Sequence, residues 1–421
     1  MLTDLCIENF KSLRKLELQI KDLTILIGPN NSGKTSVFQT LALLKQSVRG
    51  LNFYGNLVRL GTFDEVIFKH DPSHRLYISF NVDSKPKEEE PLSDVGTLSC
   101  NICITRGEDG APTLQHAEVI GQYAEVVAQK RMLIAAYPLS DKSRFEELRK
   151  RNIDGDIQGF IPFLVSRVSP EDPIVGYSRR ARDMITEQLS NYLQYVSSSR
   201  GIMQRNEPLD SRYSDRPNDV GVNGEKTMQI LAYIRDDQYF AEVLNRFSYW
   251  ASQFGLDNII AKIARGPRYE LIGRNKNMDV QSNVVDVGFG LNQLFPVILQ
   301  CFYASKGSLV MIEQPEAHLH PKAQALIADF LIDVVNYGNR VMVETHSEHI
   351  LLRLQRRVAE KRIDPQRIGI YYFEQTSNGT VVHNIAIDKL GNFSGDIPQG
   401  FFEEGFQEAI AHLKALGPSR D

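Results

Sequence analysis

Apolar and polar residues alternate along Leu2–Phe10 and Leu13–Ile20, which predicts two strands turning at Lys11-Ser12. Leu23–Ile27 is a short, nearly continuous apolar run, the pattern of a strand buried on both faces. Apolar spacing over Val37, Leu41, Leu44 and Val48 predicts a helix across Ser36–Val48. Alternation returns at Leu76–Val82 and Thr97–Thr105, with a turn at Gly107–Gly110 and a charged surface loop at Lys85–Pro91. From Tyr137 to Phe254 helical stretches dominate (Asp141–Asn152, Ser178–Tyr195 and Glu225–Phe254), around a long polar loop at Ser197–Val222. Beyond them Ile259–Ile272 predicts strand with a Gly266-Pro267 turn. Leu309–Glu313, Arg340–Glu344 and Ile368–Phe373 predict three strands separated by helices at Lys322–Tyr337 and Ser347–Lys361. That alternation is α/β. The expected organisation is one domain in two lobes, 1–136 and 257–421, split by a mainly helical insertion over 137–256.

Composition sets bounds. A 42% apolar share supports a packed core and excludes wholesale disorder. No run of about 18 apolar residues occurs, so no membrane span is expected. The alternating start lacks the apolar stretch of a signal peptide, and 4 cysteines in 421 residues make no disulfide framework. A cytoplasmic location is the expectation. With 48 basic against 52 acidic residues, a globally basic nucleic-acid binder is excluded, though a local basic face is not.

Gly28-Pro29-Asn30-Asn31-Ser32-Gly33-Lys34-Thr35 matches G-x-x-x-x-G-K-[ST], with an apolar strand before it and a helix opening at Ser36. Glycines let backbone N–H groups turn toward a phosphate, and a helix N-terminus favours the anion. Lys34 is expected on the β/γ-phosphates of ATP and the Thr35 hydroxyl on Mg²⁺. The Leu309–Glu313 strand ends in Glu313-Gln314-Pro315-Glu316, where Glu313 is a second expected Mg²⁺ ligand. Gln314 follows it, and an amide takes up no proton near neutral pH. Either Glu316 supplies a base or Gln314 only orients water and hydrolysis is slow. Ala317-His318-Leu319-His320-Pro321 reads as a tight turn rather than a metal site. His346, after the Val341–Thr345 run, can hold attacking water or a γ-phosphate. Asp286 to Gln293 holds Gly288 and Gly290 in a glycine turn opening a helix, an anion-site pattern.

Two weaker signals remain. Arg149-Lys150-Arg151, Arg179, Arg180, Arg182 and the Arg353, Arg356, Arg357, Lys361, Arg362 series are candidate DNA contacts. Cys100 and Cys103 point to opposite faces of a strand, so no zinc or redox pair is expected.

The order of phosphate loop, D-V-G-F-G-L-N-Q, E-Q-P-E-A-H-L-H-P and E-T-H-S resembles the ABC-type ATPases of the RecF/SMC-like and OLD group. The resemblance covers about residues 1–120 and 260–400. It implies an ABC-type P-loop ATPase head that dimerises head to tail around ATP, or forms a higher homo-oligomer. Gly288, Gly290, Asn292 and Gln293 would then belong to a signature motif facing the ATP of the other subunit. Ala317–Pro321 would be the D-loop and His346 the switch histidine. The serine usual before the signature glycine is absent, with Gly288 near its place. Gln314 stands where the family has glutamate. The glutamine loop falls in Gly61–Asp71 with no residue assigned. The ending, Gly391 to Phe402, looks like that of small defence-associated ATPases such as the Septu-type subunit. About 75 residues follow the E-T-H-S run, too few for an appended Toprim nuclease. The resemblance therefore implies an effector in trans, such as an HNH nuclease, in anti-phage defence. The alternatives are a RecF-like ATPase clamping DNA and a slow nucleotide-dependent scaffold.

Overall fold

The computed structural model describes residues 1–83, 96–121, 124–129, 132–138, 155–158, 161–164, 173–201, 204–205, 207–208, 216–263, 268–276 and 278–395. The stretches Asp141–Asn152, Lys85–Pro91, Arg149–Arg151, Gly266-Pro267 and Pro398–Phe402 lie outside these residues.

Two large sheets carry the fold. In one, five strands run parallel in the order Leu193–Val196, Leu309–Glu313, Arg340–Thr345, Leu23–Ile27 and Ile368–Thr376. Gly379–Ile387 and Phe393–Ser394 extend it antiparallel. The other is antiparallel throughout and includes Leu2–Phe10, Leu13–Gln19, Leu76–Asp83, Thr97–Arg106 and Pro112–Ile120. It continues through Ala124–Gln129 into Met132–Pro138. The architecture is mixed α/β.

The two-residue period of the strands sorts their side chains into two cores. Leu23, Ile25, Val310, Ile312, Val341 and Val343 face the helices Phe289–Tyr303, Pro321–Tyr337 and Glu348–Ala359. Leu26, Leu309, Met311 and Met342 face the Lys34–Gln46 helix and the antiparallel sheet. Each of these side chains is essentially solvent-free, worth roughly 1.5–3 kcal/mol apiece. Parallel strands buried on both faces have their C-terminal ends left free for chemistry. Buried Arg340 joins the two sheets by donating to the carbonyls of Leu2 and Ile20.

The boundaries at 137 and 256 mark no break in the fold. Leu193–Val196 is a strand of the parallel sheet beside Leu309–Ile312, not the end of a helix running to Tyr195. The helix stops at Ser190. Residues 132–138, 155–158 and 161–164 are strands. Thr227–Ile234 and Ala241–Gln253 are helices, as expected, but they belong to the main core, where Phe247 meets Phe295 at 5.6 Å. Four strand residues are too few to show a period of their own when a helical pattern runs into them. Among the described residues no helix is long and apolar enough to cross a membrane.

Candidate nucleotide-binding site

The phosphate loop leaves the Leu23–Ile27 strand at Gly28, φ +148°, where a Cβ would meet the Phe373 carbonyl oxygen at 2.3 Å. Gly33, φ +95°, is pressed between the Ser12 and Thr380 hydroxyls, 2.6 and 2.9 Å from its would-be Cβ. Both positions therefore need glycine. Asn31 takes a left-handed φ of +61°, which asparagine tolerates. The Thr380 hydroxyl donates to the Ser32 carbonyl at 2.9 Å and braces the loop from the last long strand.

Lys34 opens the following helix and folds back into the loop. Its ammonium donates to the carbonyls of Gly28 at 3.0 Å and Pro29 at 2.7 Å. The side chain is buried, and burial lowers its pKa against the raising pull of Glu344 and Glu316. A cation held on two carbonyls inside a loop of N–H donors is poised to exchange them for phosphate oxygens.

Three acids converge on the ends of neighbouring parallel strands. Glu344, two residues before His346 and without a role in the sequence analysis, receives the Thr35 hydroxyl on both carboxylate oxygens, at 3.0 and 2.8 Å. Glu313 is its register partner on the next strand. Burial first, and the Glu313 charge second, raise the Glu344 pKa to about 7. Glu313 itself turns the other way. The Tyr195 phenol donates to it at 2.5 Å, and the Ser198 amide and hydroxyl each at 2.8 Å. Glu316 is buried, and one of its oxygens accepts from the Thr345 hydroxyl at 2.6 Å and the His346 amide at 2.8 Å. Its reachable oxygen already positions the histidine loop, and its other oxygen is buried without a hydrogen-bond partner.

Gln314 is half-buried with φ +43°, its N–H donating to the Glu344 carbonyl at 2.7 Å. His346 lies on the exposed side of the site and hydrogen-bonds the Gly28 carbonyl. Burial and the Lys34 charge hold its pKa low. A neutral imidazole that donates to a carbonyl keeps its second nitrogen free to accept. Ser347 sits at the N-cap of the next helix, but its hydroxyl donates to Gln324 at 2.8 Å.

The glycine turn packs against the Ala317–Pro321 segment of the same chain. A Cβ at Gly290 would meet the His318 carbonyl oxygen at 2.5 Å, and the Phe289 and His318 rings meet edge to face at 4.6 Å. His320 accepts the Lys322 amide at the start of the Pro321–Tyr337 helix. The histidine pair is thus spent on a cap and a ring contact. Gly288, φ +122°, has open space where a Cβ would stand. Asn292 and Gln293 turn their amides inward. Both are buried, Asn292 donating to the Val284 and Gly288 carbonyls at 3.0 and 3.1 Å, and Gln293 to the Arg200 carbonyl at 3.0 Å. An amide at the first turn of a helix satisfies orphan backbone groups nearby rather than reaching out.

Arg357 pairs with Asp329 and Glu360, Arg356 with Glu360, and Arg353 with Asp329 at 3.6 Å. Two carboxylates thus pair with three arginines of the basic helix. Arg179 and Arg180 are exposed, and Arg182 pairs with Asp183 at 2.7 Å.

A phosphate loop with acids at adjacent strand ends and a histidine beside it is the arrangement of a P-loop ATPase. The chain belongs to the AAA ATPase domain family, which it matches over residues 1–150 and 185–351. Residues 363–409 match a second family, of unknown function. No curated protein matches the chain. Among solved structures it is similar to an Smc head bound to the C-winged helix domain of ScpA, at 12% identity and TM-score 0.48, over 92% of this chain and 99% of that one. It is also similar to an SMC head domain from Thermotoga maritima, at 13% identity and TM-score 0.43, over 92% and 99%. A Pyrococcus furiosus Smc head with an extended coiled coil, bound to the C-terminal domain of ScpA, gives 12% identity and TM-score 0.46, over 99% of both chains.

A buried carboxylate held beside a second one destabilises the fold when ionised. The Glu344 pKa rises from 4.5 to about 7 on folding, so the native state keeps its proton longer than the unfolded chain. Stability then falls as pH rises through that window, by up to about 3 kcal/mol. In EDTA, Glu344→Gln is expected to melt several degrees above the parent at pH 8 and level with it at pH 5. Equal melting temperatures at pH 8 would remove the buried-charge account.

Proposed function

We propose that this chain is a slowly hydrolysing, Mg²⁺-dependent ATPase that pairs head to tail around two ATP molecules and governs an effector in trans. The observation that carries it is the meeting of Lys34, Thr35, Glu344, Glu313, Gln314 and His346 at one edge of the parallel sheet. Hydroxyl and carboxylate oxygens are the donors Mg²⁺ prefers, so Thr35, Glu344 and Glu313 would hold it together with substrate phosphates. The ion, when bound, neutralises phosphate charge. Lys34 gives up its loop carbonyls to bind the β/γ-phosphates. His346 accepts a hydrogen bond from the attacking water. Gln314 orients that water without taking its proton, which is why turnover is slow. Gly288, with open space where a Cβ would stand, is the part of the turn that would face the other subunit's ATP. A nuclease effector, such as an HNH enzyme, and a role in anti-phage defence rest on the resemblance in motif order and in the chain's ending.

Mixing two dead variants tests the pairing. Lys34→Ala removes the phosphate grip, and Gly288→Arg puts a long side chain into the open space above the turn. Each alone is expected to be inactive. A 1:1 mixture is expected to regain about a quarter of wild-type phosphate release, because half the dimers carry one intact composite site. A mixture as dead as its parts refutes the head-to-tail site.

A further inference from the structure

Gln314 is clamped from two sides. Its N–H goes to the Glu344 carbonyl, and its own carbonyl accepts from the Arg200 guanidinium at 2.8 Å. The same guanidinium donates to the carbonyls of Ser197 and Glu313, both at 2.7 Å. Arg200 is 4% exposed. Burying a guanidinium costs several kcal/mol unless it is paired; here its two terminal nitrogens meet three backbone carbonyls and the charges of Glu316 and Glu313 lie nearby, while Nε is buried without a hydrogen-bond partner. A planar fork can span three carbonyls at fixed angles, whereas an ammonium cannot. The result is that Gln314 sits at φ +43°, a left-handed conformation that costs a glutamine roughly 1–2 kcal/mol. Such strain persists only where surrounding contacts over-determine it. Arg200 is also tied to the glycine turn, because its carbonyl accepts from Gln293 in the first turns of the Phe289–Tyr303 helix.

We propose that Arg200 is a positioning residue for hydrolysis: it fixes the backbone from which Gln314 presents its amide, and links it through Gln293 to the glycine turn. The proposal rests on Gln314 orienting the attacking water. Movement of the turn when a second subunit's ATP arrives would then be felt at Gln314 without any direct contact.

A double-mutant cycle between Arg200→Met and Gln314→Ala separates the two claims. Gln314→Ala is expected to lower kcat about tenfold, and Arg200→Met by about 10–100-fold, since misplacing a reacting group by an ångström costs that much. The affinity for a fluorescent ATP analogue is expected to stay within about twofold. The double variant is expected to be no slower than the slower single. Losses that multiply overturn the proposal, because Arg200 would then act elsewhere than through Gln314. If Gln314→Ala leaves kcat unchanged, the water-orienting role of Gln314 fails first, and the proposal falls with it. Should Arg200→Met fold poorly, Arg200→Lys keeps the charge without the fork, and Gln293→Leu leaves the fork but cuts the link. Both are expected to lower kcat at unchanged ATP affinity, and wild-type kcat in both counts against the role.

Discussion

Lys34→Ala lowers ATP turnover by about 10²–10³-fold, the usual loss when one pre-placed charge on a developing anion is removed. Lys34 is 3% exposed and already sits inside the loop on the Gly28 and Pro29 carbonyls. Binding ATP therefore needs an exchange of partners rather than a search. Truncation leaves the helix N-terminus and loop amides but takes away the only cation that the loop itself carries. Nucleotide affinity is expected to fall as well, read by titration with a fluorescent ATP analogue. The melting temperature is expected to move by only a few degrees, because the lost hydrogen bonds are offset by release of a buried ammonium. Turnover within tenfold of wild type would mean that ATP is held elsewhere.

Glu344→Gln raises the Mg²⁺ concentration needed for half-maximal hydrolysis by about tenfold or more, the range expected when a metal's supporting shell is altered. Of the two carboxylates that would hold the ion, Glu344 is the freer to do so. It takes the Thr35 hydroxyl on both oxygens, whereas Glu313 is occupied by Tyr195 and Ser198. Glu313→Gln is accordingly expected to depress kcat more than it shifts the Mg²⁺ requirement. Phosphate release measured across Mg²⁺ concentrations for both variants reads this split. An unshifted Mg²⁺ curve for Glu344→Gln would exclude the residue from the metal's surroundings. The same variant gains stability in EDTA at pH 8, so a loss of activity there cannot be charged to unfolding.

Much of this site was legible because it depends on local rules. A glycine loop between an apolar strand and a helix has one chemical use, and Gly28 to Thr35 stand where that use requires them. Glu313, Gln314 and His346 were found as polar residues ending apolar strands, and the sheet does bring those strands together. Glu344 stood in the same sequence run but carried no role. Its contact with Thr35 crosses 309 residues of chain, a pairing that no spacing encodes.

Tyr195, Ser198 and Arg200 were hidden for a different reason. A helical pattern ran up to Tyr195, and Ser197–Val222 read as a polar loop. In the fold, Leu193–Val196 is a fifth parallel strand followed by polar residues, the same arrangement that ends the other strands at the site. Asn292 and Gln293 also owe their contacts to the fold. Their place after the glycines suggested a ligand, while burial turned both amides onto backbone carbonyls of their own subunit.

By itself the sequence determined the α/β class, the phosphate loop, the acidic strand end with glutamine in place of glutamate, and the histidine after the next strand. Each follows from a period of two or 3.6 residues, or from the chemistry of neighbouring residues. Only the tertiary structure decided which carboxylate meets Thr35, what holds Gln314 in its strained conformation, and that Arg353, Arg356 and Arg357 share the carboxylates of Asp329 and Glu360. Those outcomes depend on which strands become neighbours and which faces become buried, and the energy of packing whole elements sets both.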